Sequence, residues 1–475
     1  MIPSRGRRER CQLLAGGWAF CFALGALAAD REMATADLLL QAARIELHPR
    51  EREYAGRQIL ARGRAALTAL LAGLRSERWI VRQTAAILLR ELRDFEAEAA
   101  LLQAAAGEDL ITAALAAKSL AHLYAKLDEP ALLARIAGHG QSAARGEEEG
   151  AAMAAAVLAA IALRQQCRLP ELRQAILAKL DDARPDVRRA AASALAFCDG
   201  GEAAQALAQR CSVEVDANVQ IQICRSLQRL RATADRRTLE ALSASEHQLL
   251  ALEAAAVMHV GGMEEGLEDI LLWLKAGEAG VRQRAAEILG EMNEKRATAA
   301  LRLACSDPVP EVRQAAVISL GKIEGATAAE VFNRLLQDPD GRVRAEAAVQ
   351  LHRCRLPGSL RPLWEDLRSA ETSHRIAAVH ALARVAAPES VPALTAALSD
   401  DDLEVVCSAA EGLAAVGERR ALPALFKALT DSRPAAAYAA RLAMQRISGE
   451  DPGDAPDEQR RWAEHHLNGK TKAGD

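Results

Sequence analysis

Aromatic side chains are scarce in this chain of 475 residues: Phe, Trp and Tyr together make up 3% of it, although half of its residues are hydrophobic. Large rings therefore cannot fill a core, which must come from Ala, Leu, Val and Ile in helices that approach closely. An excess of positive charge is also missing, since 60 Lys and Arg face 64 Asp and Glu. A general nucleic-acid binder would show a basic surplus, so that class is excluded. The nine cysteines form no CxxC and no Cys/His spacing suited to zinc. HExxH, GxSxG, a Walker loop and a GxGxxG after a strand are absent as well. No catalytic, metal or cofactor residue is assigned on these grounds.

The amino terminus reads as an export signal. Arg5, Arg7, Arg8 and Arg10 precede an apolar run from Cys11 to Ala28, and Ala26-Leu27-Ala28 supplies a small-x-small cleavage pattern. Cleavage before Ala29 is expected, with the rest of the chain in the periplasm. A retained inner-membrane anchor over residues 11–28 and a buried core helix are the alternatives. Removal of residues 1–28 would move the net charge from −4 to −7. The seven cysteines beyond the signal (Cys167, Cys198, Cys211, Cys224, Cys305, Cys354 and Cys407) are an odd set at repeat positions. Cys167 and Cys198 occupy equivalent turns of neighbouring units, and layers about 8–10 Å apart would hold them too far apart for a disulfide.

What the chain does have is a repeat, seen most clearly in DPVPEVRQAAVISLG from Asp307 to Gly321. Positions equivalent to Val312 fall at Val187, Val219, Leu250, Val281, Val343, His374, Val405 and Ala436, with a period of 31 residues after Val219. Less regular units precede them, and the spacing stretches around Gly138–Gly150, where Glu147–Glu149 should lie ahead of a helix and complement its positive end. Each unit should form two helices. The first has Ala-Ala four and five residues after the anchor and Leu at the eighth, as in Ala347, Ala348 and Leu351. The second carries an apolar stripe such as Leu422, Leu425 and Leu429. An Arg follows many anchors (Arg82, Arg188, Arg282, Arg313, Arg344, Arg375), and an Asp stands five residues before others (Asp182, Asp307, Asp338, Asp400, Asp431). That Asp is expected to cap the next helix and to hold a bidentate pair with the Arg of a neighbouring unit. The pattern is a structural ladder, not a basic stripe.

The period, the D-x(4)-V-R-x(2)-A-A pattern and the L-x(2)-L ending resemble the short HEAT-like repeats of the phycobilin lyase type. The resemblance implies an all-α, right-handed α-solenoid of about 12 two-helix repeats. The expected organisation is a signal or anchor (1–28), a capping helix (29–49), the solenoid (50–447) and a terminal loop and capping helix (448–475), with Trp462 folded onto the last repeat.

In such a solenoid the second helices are expected to line the concave face. The position 21 residues beyond each anchor varies there, as Arg302, Asn333, Trp364 and Phe426 show, which suits a shaped binding groove. Trp364, with Arg361 and Arg368 on its own helix, is the candidate hot spot. The expected activity is that of a monomeric, exported scaffold for a protein partner, without catalysis or cofactor. A bilin-lyase-like enzyme subunit or chromophore-binding protein is the alternative. The histidines do not assemble in sequence, and His465-His466 are expected on an exposed tail.

Overall fold

Long and short helices alternate along the chain, one pair to each repeat. The computed structural model describes residues 34–467 apart from 138–146, 165–166, 199–200, 276 and 454. The signal reading at residues 1–28 and most of the irregular stretch after Gly138 lie outside the described residues. Among the described residues there are helices and a single isolated β-bridge, and no helix is long and apolar enough to cross a membrane. Of the described residues, those up to 58 and from 305 onward form one compact unit, and those within 59–304 form the other.

Within a repeat, small residues on the long helix receive large ones from the short helix. Ala347, Ala348 and Leu351 on the helix Gly341–Arg353 are buried, as are Leu422 and Leu425 at Leu422–Ala428. Each fully buried Leu contributes about 1.5–3 kcal/mol. Among the described glycines the closest approach to another stretch of backbone is at Gly266, where a Cβ would stand 2.5 Å from both Ala255 O and His259 N. Only glycine fits there. The stretch Glu147–Glu149 forms the first turn of the helix Glu147–Arg164, not a loop ahead of it. At the amino end the helix Thr35–Ala42 stops short of Leu47, and Pro49 opens the next helix, Pro49–Ala61, where its missing N–H costs no hydrogen bond.

The Arg ladder is built, with one correction. Arg313 sends two parallel hydrogen bonds, 2.7 and 2.6 Å, to Asp338 of the next repeat, and Arg375 does the same to Asp400 at 2.8 and 3.0 Å. Arg188 holds Glu214 in this way at 2.8 Å, and Arg344 holds Asp366 at 2.9 Å. The remaining guanidinium nitrogen donates to two carbonyls just before its own helix, Asp307 and Pro308 in the case of Arg313. Each staple thus joins a helix, the loop before it and the repeat after it. The acid five residues before the anchor is not the helix cap, however. Asp338 and Asp400 accept from Asp340 N and Asp402 N, closing a turn in the linker. Asp340 and Asp402 themselves, two residues later, accept the N–H groups that open the helices. Asp182 and Asp431 bind Lys179 and Arg433 instead, because the preceding anchors lack an Arg.

Two further expectations change. Cys167 and Cys198 are paired by a parallel β-bridge, so their turns lie closer than helix-layer spacing implies. The long helices of residues 305–475 (310–323, 341–353, 372–385, 403–416 and 434–448) pack on one another in an unbroken row, while the short helices stand further apart. Spacing is smaller on the inside of a curved stack. In this unit the inner face therefore belongs to the first helices, not to the second.

That inner face carries a piece of the amino terminus. Arg50 at the start of Pro49–Ala61 donates to Glu404 at 2.7 and 2.8 Å, to Glu411 at 2.9 Å and to Ser408 at 2.9 Å, all on the helix Leu403–Val416. Tyr54 is buried against Val406, Cys407 and Ala436 and meets the Tyr438 ring edge-on at 5.3 Å. Burial opposes ionisation of Glu404, but its bonds from Arg50 and His380 prevail and hold its carboxyl down at about 2.

Candidate partner-binding surface

The short helix Arg361–Asp366 presents Arg361, Trp364 and, two residues past its end, Arg368 along one side. Leu356-Pro357-Gly358 ends the preceding long helix, and the positive φ of 73° at Gly358 lets the chain turn sharply into the short one. Leu363 on the opposite side is fully buried and anchors the helix. Arg361 is exposed and pairs with Glu365 at 3.1 Å, a surface pair worth about 0.3–0.5 kcal/mol. It remains available to another carboxylate.

Trp364 has a double character. Part of its ring packs against the core of the neighbouring repeats, and the rest borders an open cleft of about 340 Å³ with His352, Arg355, Pro357, Arg361 and Glu389. Its indole Nε1–H is shielded from solvent and has no acceptor. A buried donor without a partner costs about 1–3 kcal/mol.

The other predicted positions stand on other short helices. Phe426 on Leu422–Ala428 lies flat beneath Trp462, with centroids 6.2 Å apart and planes 7° apart. Trp462 is buried, as expected of a cap, and it partly covers Phe426, which packs against the core. Asn333 is exposed on the helix Ala329–Leu335, whereas Arg302 is half-buried and belongs to the unit of residues 59–304. Of the six candidates, Arg361, Trp364 and Arg368 share one short helix and the turn that follows it.

The helix pairs, the 31-residue period and the Arg staples define the repeat type, and the family model for HEAT repeats matches residues 267–352 and 360–445. These are HEAT repeats. No curated protein matches the sequence. Among solved structures, the chain is similar to Kap95p in its complex with RanGDP, at 14% identity over 90% of this chain and 62% of that one, with a TM-score of 0.40. It thus spans about three fifths of the length of that protein. It is also similar to the Escherichia coli protein YibA, at 18% identity over 58% of this chain and 92% of that one, with a TM-score of 0.31. The complex of CpcE and CpcF of phycocyanin lyase from Nostoc sp. is similar at 17% identity over 58% and 94%, again with a TM-score of 0.31. These likenesses concern the HEAT fold alone.

Proposed function

We propose that this HEAT-repeat protein is an exported, non-catalytic, monomeric scaffold that holds a protein partner at the surface around Trp364. The observation that carries the reading is the half-buried Trp364, whose indole N–H lacks an acceptor, flanked by exposed Arg361 and Arg368. Trp and Arg are the residues that dominate binding hot spots, and two exposed guanidinium groups suit an acidic stretch of a partner. The signal-like pattern of residues 1–28 supports export, which amino-terminal sequencing of the mature protein from the periplasm would test.

A photo-crosslinking residue at position 361 or 368 should form one discrete adduct in cells, and one at Asp457 should not. Arg361→Ala with Arg368→Ala should abolish the capture at an adjacent crosslinking position while leaving the helical content unchanged. Undiminished capture in that folded variant would refute the site. Pigment co-purifying with the recombinant protein would replace the scaffold by a chromophore-handling function.

A further inference from the structure

Beyond the last repeat, the chain brings three metal-ligating side chains to one point. Gly449, at φ 85°, turns it out of the helix Pro434–Ser448, and Glu450 follows in the loop. The Glu450 carbonyl accepts the Trp462 indole N–H at 3.1 Å, which fixes the loop against the terminal helix Pro456–His466. His465 and His466 end that helix. One ligand atom each from Glu450, His465 and His466 lie within 4.8 Å of one another.

The His466 ring is the second, independent sign. Its side chain is only 4% exposed and sits edge-on to Trp462 at 4.5 Å. Neither Nδ1 nor Nε2 has a hydrogen-bond partner, and the nearest carboxylate oxygen, Glu450 Oε2, stands 3.4 Å from Nε2. A neutral imidazole carries one donor and one lone pair. Leaving both unmet in a buried place is costly, and a cation between the ring and Glu450 would meet the lone pair. The His465 ring, 4.7 Å from that of His466, supplies a second nitrogen.

We propose that Glu450, His465 and His466 bind one divalent transition-metal ion, zinc by ligand chemistry. Two imidazoles and a carboxylate form a donor set that suits zinc and its first-row neighbours, whereas calcium and magnesium require mainly oxygen. Three protein ligands leave one tetrahedral position for water or for a side chain of a partner. The ion ties the loop to the end of the helix and so clamps Trp462 over Phe426.

The test uses the full chain without a polyhistidine tag, freed of metal by a chelator and titrated with zinc chloride by calorimetry and with cobalt(II) by visible absorption. About one zinc per chain should bind, and cobalt should develop the d–d bands of a low-coordinate N/O site. Glu450→Gln and His465→Asn alter exposed side chains and leave the core alone. Each should weaken zinc binding by about tenfold or more and remove the zinc-dependent rise in melting temperature. His466→Gln should do the same, with an added loss from its contact with Trp462. Absence of saturable binding would overturn the site. Binding that Glu450→Gln and His465→Asn leave unchanged would overturn it too, and would place the metal on the thiols.

Discussion

Replacing Glu214 by Gln removes a charge that two arginines and the backbone enclose. Its side chain is fully buried and accepts from Arg188 at 2.8 Å twice, from Arg210 at 2.9 and 3.0 Å, and from the N–H groups of Val215 and Asp216 at 3.0 Å. Burial works against ionisation, but the Arg188 bond, the Asp216 N–H and Arg210 outweigh it and bring the carboxyl from 4.5 down to about 2. At about 1.4 kcal/mol per pH unit, that shift corresponds to roughly 3 kcal/mol of stability at neutral pH. Loss of one partner from a buried ion pair costs about 3–5 kcal/mol, in line with that figure. Because the folded pKa is depressed, the contribution is complete above pH 4.5 and disappears as the pH falls toward 2. Hydrogen exchange of residues 185–230, read by mass spectrometry, follows this region without assuming that the whole chain unfolds at once. Glu214→Gln should raise exchange there by about two orders of magnitude at neutral pH, the equivalent of 3 kcal/mol. The gap between variant and parent should close on acidification below pH 4.5. A variant within about 1 kcal/mol of the parent, or a gap unaffected by pH, would refute the reasoning.

Three further outcomes are expected. Arg50→Ala leaves Glu404 and Glu411 without their shared cation, and should free residues 49–58 to limited proteolysis while the repeats stay folded. The attachment of those residues in the parent should weaken as the pH drops from 4.5 toward 2, because Glu404 is held at about 2. Gly266→Ala places a methyl group 2.5 Å from two backbone atoms, so the helix Glu264–Trp273 must shift, at a cost of about 1–3 kcal/mol in urea unfolding. Of the seven described cysteines, Cys354 alone is partly exposed, and burial pushes Cys407 up to about 12. N-ethylmaleimide should therefore label Cys354 first in the native protein, and equal labelling of Cys407 would contradict the packing.

Much of the repeat could be read in the sequence because it depends on local periodicity. Ala347, Ala348 and Leu351 repeat one face every 31 residues, and the face is buried as expected. The Arg staples were legible for the same reason. The roles of Asp338 and Asp340 were not, since two acids two residues apart fit either the turn or the cap until backbone angles separate them. The inner face was misassigned because helix order along the chain does not say which helices crowd together. Arg50 meets Glu404 across 354 residues, a contact no periodic pattern encodes. His465 and His466 looked like a solvated tail because nothing in the local pattern shows that Gly449 and Trp462 bring Glu450 beside them. Phe426 looked like a groove residue until Trp462 covered it.

The staples also make the joints between repeats unequal in kind. Those at Arg313, Arg344 and Arg375 follow one another and depend on charge. The joint at Leu250 has Ala251 where an Arg would stand, and its charge lies within the helix instead: Glu253, fully buried, accepts from Arg225 at 2.8 Å and from Arg284 at 3.0 Å on the long helices to either side. One buried carboxylate there fastens two joints at once, so its loss would loosen the repeats on both sides of Gln248–Val260, where loss of Asp338 would release Arg313 alone.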